Sequence, residues 1–350
     1  MNKLFLEDSS YYKALGIFNN IIDFDGNNDY KIKDKDLQKY EMIISQLYVN
    51  PISNFLIIKA KRNAVKTLLL SDGIIEWTNC FQNPMNKKYN ANLYHPILHD
   101  IFLCVGKEET KYFNFLGYKT MQYLPKRISP TMTPQKKINN KTFLITTANT
   151  AYYNKSEKEN LIALLKKIIE ELDSLFFKYI FRIFDEELMK ELELDSNKNI
   201  KNGSFEECLK LVDCVITTPS SISILAMYHN KAVAHLIYRD SPIFIQAGWN
   251  IFFSVNIKKS LENMLSFDKN RINFQNFQVS NYIVDNSGIE DEVQKELQKQ
   301  KEENIKKFIN QNLYNMLNSS FNFNIEYFIR KIYLKFKTLK IMKILRGKIK

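Results

Sequence analysis

Hydroxyl side chains are concentrated at one point of the chain, where a predicted buried strand is followed by a predicted helix. The run consists of Thr217, Thr218, Pro219, Ser220 and Ser221. The first backbone N–H groups of a helix lack partners within the helix, and the helix dipole adds partial positive charge. Such a helix start, flanked by hydroxyls, suits a phosphate or pyrophosphate. We therefore predict an anion-binding loop, and capping of the helix by one of the two serines is the alternative.

A cationic side chain interrupts a second apolar run. Arg182 lies within KYIFRIF at 178–184. A guanidinium inside a buried strand must find an anion, because burying an unpaired charge is costly. Its partner is either an aspartate of the protein, such as Asp185 or Asp213, or the phosphates of a ligand. We include Arg182 among the predicted phosphate-binding residues.

Strands and helices alternate through the second half of the chain. The predicted strands lie at 142–148, 178–184, 214–218 and 232–238, and the intervening helices at 157–176, 185–194, 205–212 and 220–230. This alternation indicates a doubly wound α/β domain in which the loops at the carboxyl ends of the strands form a ligand-binding crevice. The hydroxyl run follows one of these strand ends.

The first half shows a less regular version of the same pattern. We predict a helix over 34–48, short buried strands at 55–59 and 67–73, and a further strand at 100–106 before a helix that ends at Gly117. Helices that alternate with short apolar strands indicate a second parallel sheet.

The chain divides at a proline-rich segment. At 350 residues it exceeds the usual size of a single core. The stretch 124–141 has three prolines, many basic residues and no periodicity, which is typical of a linker. We predict one domain over 1–137 and a second over 138–285. The remainder, 286–350, is predicted as a charged, solvated bridging helix followed by a basic tail.

The positive charge is concentrated in that tail. The net charge is +12, and nine Lys or Arg but no acidic residue lie at 330–350. Apolar residues recur there at spacings of three and four, which predicts a basic amphipathic helix. We expect residues 325–350 to bind the anionic inner face of a membrane, and packing on the amino-terminal domain is the alternative. Nucleic acid is not expected as a partner, because no reading motif is present.

Compartment and redox state follow from what the sequence lacks. The first twenty residues do not form a secretory signal, and no window approaches the length of an apolar transmembrane helix. We expect a cytoplasmic protein that associates peripherally with the membrane.

The four cysteines are predicted to be free, buried thiols, because they lie in apolar surroundings without CxxC spacing. They are Cys80, Cys104, Cys208 and Cys214.

One segment resembles a known family. The pattern D-x-VITTPSS-x-S-x-x-AM at 213–227, followed by K-A-V-AHLIYRD at 231–240, resembles the donor domain of GT-B glycosyltransferases. The paired Ser220 and Ser221 are similar to the Ser-Ser motif of bacterial sialyltransferases and related enzymes that use CMP-sugars. The resemblance covers about residues 50–250. It implies two Rossmann-like domains that face each other across a cleft, the second holding the nucleotide.

A general base is implied by the same resemblance. Sialyltransferase-like families carry two acids and a glycine after an amino-terminal strand, and here that position reads Ser71, Asp72 and Gly73 in LLLSDGIIEW. A carboxylate can accept the proton of an attacking sugar hydroxyl. We predict Asp72 as the base and Glu76 as its substitute, because Ser71 replaces one acid. A simple Asp-Gly turn is the alternative.

Two other family features differ. The family's His-Pro pair after the first donor-domain strand is replaced by TTANTAYYN at 146–154, where Thr147 and Asn149 could donate hydrogen bonds to the donor. His95, which precedes a proline before the linker, is predicted to face the acceptor, in a catalytic or a structural role. Leu225 stands where many GT-B sites present a ribose-binding Glu. No metal-binding DxD pair is found, so we expect neither metal nor cofactor.

The resulting hypothesis is inverting transfer of a sugar from a nucleotide donor to a cell-surface glycan or lipid-linked glycan. The donor is predicted to be CMP-linked, and the sugar a nonulosonic or Kdo-like acid. One alternative is transfer of a CDP-linked polyol phosphate, as in teichoic-acid synthesis. A membrane-associated binding module without catalysis is the other.

Overall fold

The computed structural model describes residues 2–18, 22–24, 32–46, 51–88, 91–135, 139–239 and 244–299, together with residue 332. These residues form two parallel β-sheets flanked by helices. The strands are β1 (Lys3–Phe5), β2 (Ile22–Phe24), β3 (Met42–Ser45), β4 (Lys66–Leu70), β5 (Ile101–Cys104), β6 (Thr120–Gln122), β7 (Thr142–Thr146), β8 (Lys178–Arg182), β9 (Cys214–Thr217), β10 (Ala232–Leu236) and β11 (Trp249–Ile251).

Helices follow most of the strands. They are α1 (Ser9–Leu15), α2 (Asp34–Leu37), α3 (Pro51–Arg62), α4 (Trp77–Gln82), α5 (Pro84–Lys88), α6 (Lys107–Phe115), α7 (Lys155–Ser174), α8 (Glu186–Glu191), α9 (Phe205–Leu209), α10 (Ile222–Tyr228), α11 (Ile257–Ser266), α12 (Lys269–Tyr282) and α13 (Ile289–Lys299). Short 3-10 turns cover Lys126–Ile128 and Ser196–Lys198.

Both sheets are doubly wound. The first has the strand order β2-β1-β3-β4-β5-β6 and the second β11-β10-β9-β7-β8, and every pair is parallel. The central strands β5 and β9 are buried along their whole length, as expected where helices cover both faces of a parallel sheet. The predicted α/β class with two Rossmann-like domains is confirmed.

Several predicted elements of the first half are wrong. The helix predicted over 34–48 ends after α2, and its second part is the buried strand β3. The strand predicted at 55–59 lies within α3, where Leu56, Ile57 and Ala60 are fully buried on one side of the helix. A short apolar run fits a buried helix face as well as a strand, so periodicity does not separate them. Strands β1, β2, β6 and β11 were not predicted.

The connection between the sheets runs from the end of β6 to the start of β7. It is anchored rather than loose, because the carboxylate of Glu206 accepts hydrogen bonds from the backbone N–H groups of Thr131 and Met132 at 3.1 and 3.3 Å. The predicted boundary between 137 and 138 falls outside the described residues, as does the tail at 325–350 apart from residue 332. In the described residues no helix combines the length and apolar character needed to cross a membrane.

All four cysteines are free and buried, as predicted. Burial raises the pKa of the Cys80 thiol to about 12, so it stays protonated near neutral pH.

The last two helices return from the second sheet to the first. At the end of α12 the Tyr282 hydroxyl donates to Glu109 Oε1 at 2.7 Å, and Gln122 donates to the Asn281 carbonyl at 2.6 Å. Burial raises the pKa of Glu109 to about 8, so this carboxyl is largely protonated at neutral pH. Helix α13 then buries Val293 and Leu297 in a core cluster that includes side chains of β1, β3, β4 and β5 from the first domain and of β7, β9 and β10 from the second.

This packing contradicts the prediction of a solvated bridge. The ionic partners of α13 also belong to the first domain, because Lys3 pairs with Glu290 at 2.8 Å and Lys119 with Glu296 at 2.6 Å. The many charged residues of α13 made its apolar stripe, which lies on a single face of the helix, difficult to recognise in the sequence.

Replacement of Val293 by Asp tests this packing. We expect Val293→Asp to lower the free energy of unfolding by about 3 kcal/mol, because it buries an unpaired carboxylate. Lys295→Asp introduces the same residue at an exposed position of α13 and is expected to change stability by less than about 0.5 kcal/mol. Urea unfolding followed by circular dichroism measures both. Equal, small effects would mean that α13 does not pack on the first domain.

Candidate functional site

Two loops from different sheets meet directly. The backbone N–H of Ile74, after β4, donates to Ser221 Oγ, after β9, at 3.0 Å. A side chain at Gly73 would collide with this Ser221 hydroxyl, so the close approach requires glycine. The segment that carries Asp72 therefore faces the hydroxyl run across the domain boundary.

Asp72 lies on a fixed turn and reaches solvent. The Ser71 hydroxyl donates to the Gly73 carbonyl at 2.7 Å, and the Tyr123 hydroxyl donates to the Ser71 carbonyl. The Asp72 side chain is 46% exposed. The Asp-Gly turn and a chemical role are thus compatible, because the turn holds the carboxylate at the domain boundary.

Arg127 is the cation at this point. Its Nη2 lies 3.3 Å from Asp72 Oδ2, and its side chain is 44% exposed. The same nitrogen lies 3.2 Å from the position that a Cβ on Gly73 would occupy, close to the Ser221 hydroxyl. Sequence reasoning missed this residue, because it belongs to the basic, proline-rich stretch interpreted as a linker. The signal was a basic pair directly after Pro125.

The hydroxyl run divides into a buried and an accessible part. Thr217 and Thr218 are fully buried, and they bind backbone: Thr217 Oγ1 donates to the Thr218 carbonyl at 2.9 Å, and Thr218 Oγ1 accepts from the N–H of Ala148 at 2.8 Å. Ser220 and Ser221 are half-buried, whereas Pro219 is buried. The two threonines thus shape the loop, and the two serines are the members placed to meet a ligand.

Ser221 does not cap α10. It occupies the N-cap position without a side-chain bond to the helix, since its hydroxyl binds Ile74 instead. Ser220 uses its carbonyl to accept from the N–H of Ser223 at 3.0 Å. For Ser221 the capping alternative is therefore wrong, and the hydroxyl is directed toward the other domain.

The loop after β7 adjoins this run. Thr146 pairs with Thr217 in the sheet, which places Thr147 and Asn149 beside the hydroxyl run. Asn149 is exposed, whereas Thr147 is 5% exposed and its Oγ1 has no hydrogen-bond partner. Buried polar atoms are normally satisfied, so this hydroxyl has capacity for a ligand or a water. The donor-binding roles of both residues stay predictions.

The positive charge of Arg182 is compensated by backbone carbonyl groups and not by an anionic side chain. Its guanidinium donates to the carbonyls of Ile200, Asn202 and Gly203 at 2.9, 3.3 and 2.8 Å. The expectation of an aspartate partner is therefore wrong, because three carbonyl dipoles supply the negative potential that a buried guanidinium needs. Contact between Arg182 and ligand phosphates stays a prediction.

A buried ion triad crosses the boundary beside the loops. Arg239, after β10, pairs with Glu76 of the first domain and with Glu157 of α7, the latter at 3.1 Å. The three side chains are only 7%, 11% and 9% exposed. Burial lowers the pKa of Arg239 to about 10, which still leaves it charged at neutral pH. The rings of Tyr153 and Tyr238 lie 5.3 Å from its guanidinium carbon.

This triad changes the assignment of the base. Glu76 is committed to a buried guanidinium, which holds its charge and leaves little room for an acceptor hydroxyl. Asp72 is exposed and is the better placed of the two predicted carboxylates. Glu157 was not predicted, because an acid in the first turn of α7 fits an ordinary helix start.

Three of the four histidines are buried. His99 contacts Ser45 at 2.7 Å and His229 contacts Glu206 at 2.7 Å, while His235 has no hydrogen-bond partner at either ring nitrogen. Burial lowers the pKa of His235 to about 4, so it is neutral. His95 is half-buried among aromatic rings, and its Nδ1 lies 3.0 Å from the Leu93 carbonyl.

Metal ligands are not grouped in the described part of the chain. No set of three or more His, Cys, Asp or Glu side chains there could hold an ion. The expectation of a reaction without metal or cofactor stays a prediction.

Removal of the central cation tests the triad. We expect Arg239→Ala to lower the free energy of unfolding by about 3 kcal/mol, because two buried carboxylates lose their partner. Adding Glu76→Gln in the same chain should recover part of this loss, since one orphaned charge is removed. Arg62→Ala, at an exposed position, is the control. Chemical unfolding of the wild type, Arg239→Ala, Glu76→Gln and the double variant, with Arg62→Ala beside them, measures the coupling, and additive effects would show that Glu76 and Arg239 do not interact.

Comparisons with known proteins support the fold. No protein-family model matches the sequence, and no curated protein matches it. Among solved structures, UDP-GlcNAc 2-epimerase of Methanocaldococcus jannaschii, in complex with UDP-GlcNAc and UDP, is 16% identical with a TM-score of 0.51. The match covers 77% of this chain and 94% of that chain.

Two further structures are similar. A putative UDP-N-acetylglucosamine 2-epimerase from Listeria monocytogenes is 10% identical with a TM-score of 0.50, covering 86% of this chain and 97% of that one. A lipopolysaccharide outer core galactosyltransferase is 11% identical with a TM-score of 0.44, covering 81% and 96%. At these identities the likeness to the two epimerases concerns the fold alone: the chain is built as two facing Rossmann-like domains of the GT-B type.

Proposed function

We propose that the chain is a nucleotide-sugar-dependent glycosyltransferase whose donor binds where the two domains meet. The observation that carries this proposal is the contact between Ile74 and Ser221. It sets the Asp72 loop of one sheet against the hydroxyl run of the other, at the carboxyl ends of both sheets, where α/β domains bind ligands.

The chemistry follows from what each side offers. The Asp72 carboxylate accepts the proton of an acceptor hydroxyl as that hydroxyl attacks the anomeric carbon. The Arg127 guanidinium and the hydroxyls of Ser220 and Ser221 stabilise the departing phosphate, an electrostatic role. We propose that the anomeric centre is inverted, because the base comes from the first domain and the Ser220 and Ser221 hydroxyls come from the second, so attack and departure take place on opposite sides of the sugar.

The donor is proposed to be CMP-linked, with a nonulosonic or Kdo-like acid as the sugar. The support is the Ser220–Ser221 pair and its resemblance to CMP-sugar transferases. The Methanocaldococcus jannaschii epimerase, which has a similar fold, is in complex with UDP-GlcNAc and UDP, and this makes UDP the competing nucleotide. The acceptor is proposed to be a surface glycan or lipid-linked glycan, reached at the cytoplasmic membrane face through residues 325–350.

The polyol phosphotransferase alternative is not favoured. Such enzymes rely on histidines in the catalytic cleft, whereas three of the four histidines here are buried and His95 lies among aromatic rings. A binding module without catalysis would retain nucleotide binding and show no turnover.

A nucleotide screen tests the donor. A ligand that binds only the folded state raises its stability by about 2.7 kcal/mol at a concentration of 100 Kd. We expect CMP to raise the melting temperature more than CDP, UDP or GDP, and Ser221→Ala to reduce that rise. Ser174→Ala, exposed at the end of α7, should behave as the wild type. Stabilisation by UDP alone would contradict the proposed donor.

Substitution of the base tests the chemistry. We expect Asp72→Asn to lower kcat by about 10² to 10⁴ and to retain nucleotide binding, because proton transfer is lost while Arg127 and the Ser220 and Ser221 hydroxyls remain. Asp291→Asn, exposed on α13, is the matched control. Transfer is followed by release of the free nucleotide with an acceptor present. Undiminished turnover in Asp72→Asn would remove this mechanism.

A further inference from the structure

A group of aromatic side chains lines the surface directly beyond the Asp72 loop. Trp77 begins α4 immediately after Glu76, and its ring lies 5.9, 5.1 and 5.3 Å from those of Phe81, Tyr112 and Phe244. His95 stands 5.1 Å from Phe81 and 5.9 Å from Trp77. Trp77, Phe81, His95, Tyr112 and Phe244 are called the aromatic basin below.

The basin has a buried side and an open side. Phe113, which contacts His95 at 5.6 Å, is fully buried and joins the basin to the core of the first domain. On the other side Phe81 is 40% exposed, and Met85, in the next helix, is 54% exposed. Rings and a thioether left in water next to a candidate site are typical of a surface that binds something.

The aromatic basin also contains two polar groups whose hydrogen bonding is incomplete. His95 Nε2 and the Tyr112 hydroxyl are 3.5 Å apart, which is longer than an ordinary hydrogen bond, so both retain capacity for another partner. Aromatic faces bordered by a few hydrogen-bonding groups match a pyranose ring, whose C–H face packs on the electron-rich ring while its hydroxyls are bound at the edge. A lipid acyl chain has no hydroxyls to bind to these polar groups.

The position of the basin connects it to the chemistry. Phe244 comes from the second domain, so the basin spans the same boundary as the Ile74–Ser221 contact. Asp72 and Trp77 are five residues apart, which limits the separation of their Cα atoms to less than about 18 Å. A short oligosaccharide covers that distance. A sugar on the basin can therefore extend a hydroxyl toward the proposed base.

We propose that the aromatic basin is the acceptor-binding subsite, and that it holds a pyranose ring by stacking on Trp77 and Phe81 with hydroxyls bound by His95 and Tyr112. This inference rests on the proposed transferase function and adds the residues and the chemical class of the acceptor. His95 then binds the acceptor and has no part in proton transfer.

Tryptophan fluorescence gives a direct test on the full chain. The chain has two tryptophans, and Trp249 is 2% exposed, so a response to a surface ligand reports Trp77. Lactose, cellobiose, maltose and chitobiose serve as probes. We expect at least one of them to change the emission saturably, and Trp77→Phe to abolish the change. Phe81→Ala should weaken this binding about tenfold.

Controls separate this inference from the proposed function. Phe115→Ala removes the same type of ring at a more exposed position, 91% accessible on α6 outside the basin, and should bind as the wild type. The thermal shift produced by nucleotides is measured on the same proteins and verifies that Phe81→Ala is folded.

If none of the disaccharides changes the tryptophan emission, or if they bind Phe81→Ala with the same affinity as the wild type, the acceptor subsite is overturned while nucleotide binding stands. A response to phosphatidylglycerol vesicles in place of disaccharides would overturn it in favour of lipid. If no nucleotide raises the melting temperature, the transferase proposal itself is rejected.

Discussion

A buried guanidinium fixes how the two domains meet. Arg239 cannot shed its charge at neutral pH, and an unpaired charge at 7% exposure would cost several kcal/mol. Its own domain supplies Glu157, and the other domain supplies Glu76. The two domains must therefore approach at this point with both carboxylates in place. Because Glu76 lies two residues after Ile74, the same approach sets the Asp72 loop against Ser221.

The rest of the site follows from the topology of the sheets. In a parallel sheet all carboxyl ends lie on one edge, and the loops that meet at the domain boundary begin there. The Asp72 loop follows β4, the hydroxyl run follows β9, Thr147 follows β7 and Arg239 follows β10. Four segments far apart in sequence thus converge without long insertions. Helices α12 and α13 then return to the first domain. The hydrogen bond from Tyr282, at the end of α12, to Glu109 of α6 joins the second domain to the first.

The sequence predicted the second domain better than the first, for physical reasons. Strands such as β9 are continuous apolar runs between helices with clear periodicity, so they were recognised, and the hydroxyl run was placed correctly at the end of β9. The run at 55–59 was assigned to a strand, because four apolar residues followed by Lys59 do not reveal a period. Arg127 was missed since its partner Asp72 is 55 residues away, and only the folded chain brings them within 3.3 Å.

Environment, and not residue type, separates the two carboxylates of the Asp72 loop. Glu76 is 11% exposed and paired with Arg239, a buried cation of the second domain, so its carboxylate is used to stabilise the interface. Asp72 is 46% exposed and faces Arg127, which is itself 44% exposed and can turn to a ligand phosphate. A base must receive a proton from substrate and return it to solvent, which a buried ion pair prevents. The sequence shows two acids four residues apart, and the burial that distinguishes them arises only when the second domain contributes Arg239.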